Sequence, residues 1–305
     1  MLVCNCVASV IRVIQYYCNH GTTLTHGLDV CLGKERNTFF MDHVNISVSS
    51  QGTIRPMGFG LSLLCFGVPA AMVVVSFYVV TPALAEVGMM PYYAQLIPVC
   101  AVLAALLGAS LVAYRLEGRP LTWAGLQERF RLFRITAKAW IWAVSATLVG
   151  FIGSVEGNRF GDWLIENGIM PMPTSLPAWL DPQISMSYTE RFNLTAGGLH
   201  GNWLAFMMTV IYFFFNIIGE EFWWRGYILP RQELAFGKWT WLIHGMLWVS
   251  FHVSRWWDIV GLLPAQIVFA YVAWRSRNTT VAIIMHILSN ISMVMIVFWG
   301  VIGLL

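Results

Sequence analysis

Gly219-Glu220-Glu221-Phe222-Trp223-Trp224-Arg225 places two carboxylates and a guanidinium at the end of an apolar, aromatic run that begins at Trp203. An ionised side chain at bilayer depth costs roughly 2.5–3.5 kcal/mol on insertion scales, so such groups are rare there and mark function. Two later hydrophobic segments each carry a histidine of interest, in Ser250-Phe251-His252 and in His286-Ile287-Leu288-Ser289-Asn290. Two glutamates, two histidines and an asparagine inside apolar segments point to chemistry within the membrane, with hydrolysis the leading reading.

The rest of the chain has the same character. Of its 305 residues 58% are hydrophobic and only 11% charged, against about 25% charged in soluble domains. The composition therefore predicts an all-α, polytopic transmembrane helix bundle. Fifteen tryptophans suit many membrane–water boundaries, where indole rings settle. A formal charge of +3 is too small to suggest a nucleic-acid partner. Cys4, Cys6, Cys18 and Cys31 show no zinc-type pair spacing and imply no disulfide framework. Cys65 and Cys100 fall in apolar runs and read as small fillers.

Seven segments approach the ~20 residues a bilayer requires. They are Phe59–Leu84, Tyr92–Tyr114, Trp140–Val155, Trp203–Gly226, Trp239–Val253, Ile259–Trp274 and Thr280–Ile302. In domain terms, residues 1–56 form a polar N-terminal tail, disordered or the product of an over-long start. Residues 57–156 hold the N-terminal transmembrane helices, 157–200 an extracytoplasmic loop, and 201–305 the catalytic core.

Basic residues set the orientation. Arg115, Arg119, Arg129, Arg131, Arg134 and Lys138 lie in the second connection, Arg231 and Lys238 in the fourth, and Arg275 and Arg277 in the sixth. All three connections fall on one side, so the N-terminus is expected in the cytoplasm of a multi-pass protein of a prokaryotic cell membrane. Between spans two and three, Trp123, Leu126, Phe130 and Phe133 recur at helical spacing near three arginines. This pattern predicts an amphipathic helix on the cytoplasmic surface over Leu121–Lys138.

Glu221 and Arg225 are four apart on one helix face, which allows an ion pair. Glu220 is rotated about 100° away, leaving it to address a cavity. Glu220, His252 and His286 each lie roughly 10–20 Å from a basic residue of their cytoplasmic connection at 1.5 Å per residue, so they can meet near mid-membrane. His286 and Asn290 share a face. His244, two turns before His252, reads as a packing residue.

On these motifs the chain resembles the CPBP family, the CAAX proteases and bacteriocin-processing enzymes that include the type II CAAX prenyl endopeptidases. Glu220, Glu221 and Arg225 match its EExxxR motif, His286 and Asn290 its HxxxN motif, and His252 its FxxxH motif with Trp248 where Phe is usual. Arg129-Phe130-Arg131-Leu132 is similar to the family's segment before a helix. The resemblance implies an intramembrane endopeptidase in which Glu220 is the general base, His286 helps position the water, and His252 and Asn290 donate to the oxyanion, with Glu221 and Arg225 supporting. It implies peptide or prenylated-protein substrates, CAAX tails or leader and bacteriocin peptides, met in the lipid bilayer. Trp248 reads as a packing change without chemical consequence. No cofactor is favoured; if zinc is present, Glu220, His252 and His286 are its ligands, a three-residue set of the kind that leaves a fourth place for water. The alternatives are a proton-coupled transporter, against which the chain shows no internal repeat, and a catalytically silent scaffold.

Overall fold

The computed structural model describes residues 54–172, 177, 181, 184 and 186–305. Every regular element among them is helical. The tail expected over residues 1–56 lies outside the described residues except for its last three. Six helical runs are long and apolar enough to cross a membrane, and the protein is an integral, multi-pass membrane protein.

Helix α1 (Phe59–Glu86) and helix α2 (Pro91–Leu116) open the bundle. A short helix α3 (Trp123–Arg129) follows, then α4 (Ala137–Glu166) and α5 (Tyr188–Ala196). The next run, Trp203–Phe251, is continuous in helical assignment over 49 residues. It comprises α6 (Trp203–Glu221), a π-helical turn (Phe222–Ile228), α7 (Leu229–Phe236), a 3-10 turn at Gly237 and α8 (Thr240–Phe251). A straight helix would set Glu220 and Trp248 about 40 Å apart, yet their side chains are hydrogen-bonded at 2.8 Å. The run therefore folds back on itself at Gly237, whose φ of 54° and ψ of −122° suit glycine. These two arms are the fourth and fifth segments of the sequence reading. Helix α9 (Ile259–Ser276) and helix α10 (Thr279–Val301) complete the fold.

Two expectations about the connecting regions need correction. The third segment is no short span ending at Val155; α4 continues to Glu166 as a 30-residue helix, about 45 Å long, so the connection to α5 starts later than residue 157. It is held by backbone contact. A Cβ on Gly157 would lie 2.6 Å from the Val260 carbonyl oxygen, and one on Gly153 2.7 Å from Pro264. The small residues let α4 and α9 approach as closely as membrane helices do.

The second correction concerns Leu121–Lys138. Only seven residues, Trp123–Arg129, are helical. Phe130 is buried rather than facing a surface, and so is Arg129. Arg129 forms a bidentate pair with Glu117 at 2.7 Å through both Nε and Nη2. Arg131, at φ 55°, makes the same kind of fork with Glu233 at 2.7 and 2.8 Å. Two of the three arginines read as a surface stripe, Arg129 and Arg131, are thus engaged by carboxylates distant in sequence, while Arg134 stays exposed.

This segment also packs on the π-helical turn. Pro230 has no N–H, so the carbonyl four residues earlier, Gly226 O, loses its helical donor. Arg129 Nη1 supplies one at 3.0 Å. The Phe130 ring covers the same residue, 3.0 Å from where a Gly226 Cβ would sit. The widened turn begins one residue beyond Glu221, and π-bulges of this kind recur at functional sites.

Candidate active site

Helix α6 carries the two glutamates because α2 and α6 touch there. A Cβ on Gly219 would collide with the Leu103 carbonyl oxygen, so only glycine allows this approach. Glu220, Glu221 and Arg225 follow at once and are nearly fully buried, at 2%, 1% and 1% exposure.

The two carboxylates are held differently. Glu221 Oε1 lies 3.1 Å from Arg225 Nη1 and 2.9 Å from His286 Nδ1. Glu220 is bound by neutral donors: Asn216 Nδ2 donates to Oε1 at 2.8 Å, and Trp248 Nε1 to Oε2 at 2.8 Å. A carboxylate has about four lone-pair sites, so Glu220 can still accept from a water. The expected ion pair of Glu221 with Arg225 is present. The structure differs over His286, whose Nδ1 rests on Glu221, not on Glu220. An ionised carboxylate oxygen only accepts, so His286 Nδ1 carries the proton, and in the neutral ring Nε2 then presents a lone pair.

Helices α8, α9 and α10 bring the remaining groups to Trp248. Its ring centroid is 5.8 Å from that of His286 and 6.3 Å from that of His252. The guanidinium of Arg225 sits over its face, 3.4 Å from the centroid. His252 Nδ1 lies 3.1 Å from the Trp248 carbonyl and 3.1 Å from Gln266 Nε2. Asn290 Nδ2 donates to the His286 carbonyl one turn back, at 3.1 Å. Its side chain thus shares the His286 face but is tied to its own helix. His244 is apart from this group: its Nδ1 donates to Gln232 Oε1 at 2.7 Å, and Gln232 Nε2 donates to Ser62 Oγ at 3.0 Å. That buried chain ties α7 and α8 to α1, in keeping with a packing role.

Asn216, Gln266 and the Trp248 N–H escape the sequence reading. The first two are lone amides in apolar helices, a signal that intramembrane polar residues carry in principle. Trp248 was legible only as an aromatic.

Among the described residues no three His, Cys, Asp or Glu side chains are grouped to hold a metal ion. Both Glu220 oxygens already accept protein donors, and Nδ1 of each histidine faces protein.

The helices thus bury paired glutamates beside His286, with His252 next to Trp248. Residues 202–292, which span every one of these motif positions, match the family model described as type II CAAX prenyl endopeptidase, Rce1-like. Over these residues the chain is similar to the type II CAAX prenyl endopeptidases, a likeness that covers just under a third of its length. No curated protein and no solved structure matches it.

Proposed function

We propose that the protein hydrolyses a peptide bond of a membrane-presented substrate with a water activated by Glu220. The observation that carries this reading is the division between the glutamates: Glu221 takes the cation, while Glu220 is bound only by the amide of Asn216 and the indole of Trp248. An unneutralised carboxylate in an enclosed site is suited to proton abstraction.

In this mechanism Glu220 removes a proton from water as the oxygen attacks the scissile carbonyl carbon. His286, oriented by Glu221, accepts the second water hydrogen at Nε2 and so fixes the attacking lone pair. The carbonyl oxygen becomes an oxyanion that receives hydrogen bonds from His252 Nε2 and from the Asn290 amide. Donors of this kind are each worth about 10²–10³ in rate. Collapse of the tetrahedral intermediate breaks the C–N bond, and the proton held by Glu220 passes to the leaving amine. Asn290 must turn from the His286 carbonyl, or use its second N–H, to take its part.

The family implies peptide or prenylated-protein substrates. Within that class we favour prenylated CAAX tails, cut after the modified cysteine. The test is incubation of the purified protein in detergent with a farnesylated reporter bearing a tetrapeptide tail, its unprenylated twin, and a panel of leader peptides. Mass spectrometry should find a released tripeptide from the first alone. Cleavage only of the leader peptides would reassign the substrate. Proton-driven flux in proteoliposomes without any cleavage would instead favour a transporter.

A further inference from the structure

We propose that Trp248 is a positioning residue for Glu220, so that the position read as packing takes part in the proposed hydrolysis. The inference rests on that function and concerns what holds its base. Trp248 is 3% exposed and lies against Glu220, Arg225, His252 and His286. Its edge donates Nε1–H to Glu220 Oε2 at 2.8 Å. Its face carries the Arg225 guanidinium at 3.4 Å. Its ring meets the His286 and His252 rings at 5.8 and 6.3 Å.

Two consequences follow from this placement. First, the indole fixes the rotation of the Glu220 carboxylate. With Asn216 holding one oxygen and Trp248 the other, the remaining lone pairs have set directions. A misplacement of about 1 Å in a reacting group can cost roughly 10²-fold in rate. Second, the ring separates Arg225 from Glu220. A guanidinium over an indole face is attracted by the ring quadrupole, and the same ring turns its positive N–H edge to the carboxylate. Arg225 lies against the ring face and 3.1 Å from Glu221 Oε1, and Glu220 has no ion pair of its own. A phenylalanine at this position supplies the face and lacks the N–H.

Two replacements separate the donor from the bulk: Trp248→Phe, and site-specific incorporation at 248 of the benzothiophene analogue of tryptophan, which exchanges only N–H for sulfur. Cleavage kinetics on the scissile reporter and thermal midpoints in detergent are measured for both, beside Glu220→Gln. The expected result is a kcat lowered roughly 10- to 100-fold in both, KM within twofold, and the analogue's midpoint unchanged. Wild-type kcat for the analogue overturns the proposal, whatever Phe does, and so does a raised KM with kcat intact. If Glu220→Gln itself cleaves at the wild-type rate, the underlying assignment of the base fails. If Glu220→Gln is inactive while both Trp248 replacements are fully active, this inference alone fails.

Discussion

His286 Nδ1 donates to Glu221 Oε1 at 2.9 Å, and this bond joins the second glutamate of α6 to the face of α10 that carries His286 and Asn290. Glu221 therefore has two duties, balancing Arg225 and fixing the tautomer of His286. Glu221→Gln keeps the shape but leaves Arg225 with only the Trp248 face. Breaking a buried pair by removing one charge costs about 3–5 kcal/mol. The variant should melt well below wild type in detergent and lose about 10²-fold in kcat. An unchanged midpoint would show that the ring alone suffices for Arg225.

Gln266 should govern His252. With Gln266 Nε2 donating to Nδ1, the imidazole proton sits on Nε2, where an oxyanion can use it. The Trp248 carbonyl, also 3.1 Å from Nδ1, favours the opposite tautomer. Gln266→Glu places an acceptor beside Nδ1 and draws the proton there. We expect kcat to fall at least tenfold with KM little changed. Nitrogen-15 shifts of His252 should report the tautomer change, and identical shifts in both proteins would refute the link.

Arg129 should matter to stability more than to chemistry. It holds Glu117 and the Gly226 carbonyl at once; its loss leaves the carbonyl without that donor, while half-buried Glu117 keeps Arg119 and Arg231 at 3.4 and 3.3 Å. Arg129→Ala should cost about 1–3 kcal/mol, read as a lowered midpoint. Arg129→Lys should recover only part, because an ammonium cannot form the fork. Full recovery by lysine would reduce the contact to simple charge.

Gly157→Val should force α4 from α9, since its nearest obstacle is the Val260 backbone, not a movable side chain. Overpacking of this sort costs about 1–3 kcal/mol. Because α9 also carries Gln266, kcat should fall in parallel. A stable, fully active variant would mean that α9 is positioned by other contacts.

Much of the architecture was legible because apolar runs near 20 residues have few alternatives in a chain this greasy. Thr279–Val301 and Ile259–Ser276 fall within two residues of the segments read from the sequence. The i, i+4 pairing of Glu221 with Arg225 was legible too, being local. What escaped depends on partners far along the chain. The Gly226 carbonyl, left without its helical donor by Pro230, is taken by Arg129, 97 positions away. The helix read over Leu121–Lys138 is shorter in the structure, and periodicity cannot show that Glu117 and Glu233 hold Arg129 and Arg131. Trp248 was misjudged because an aromatic at a packing position says nothing of where its N–H points.

The account turns on Glu220 as the group that activates water. Its most direct test is the single-turnover rate of prenylated-reporter cleavage by Glu220→Gln, with folding verified by an unchanged thermal midpoint and retained substrate binding. A loss of about 10³-fold or more is predicted, since the amide accepts hydrogen bonds but takes no proton. A folded, substrate-binding Glu220→Gln protein that cleaves within tenfold of wild type would contradict it.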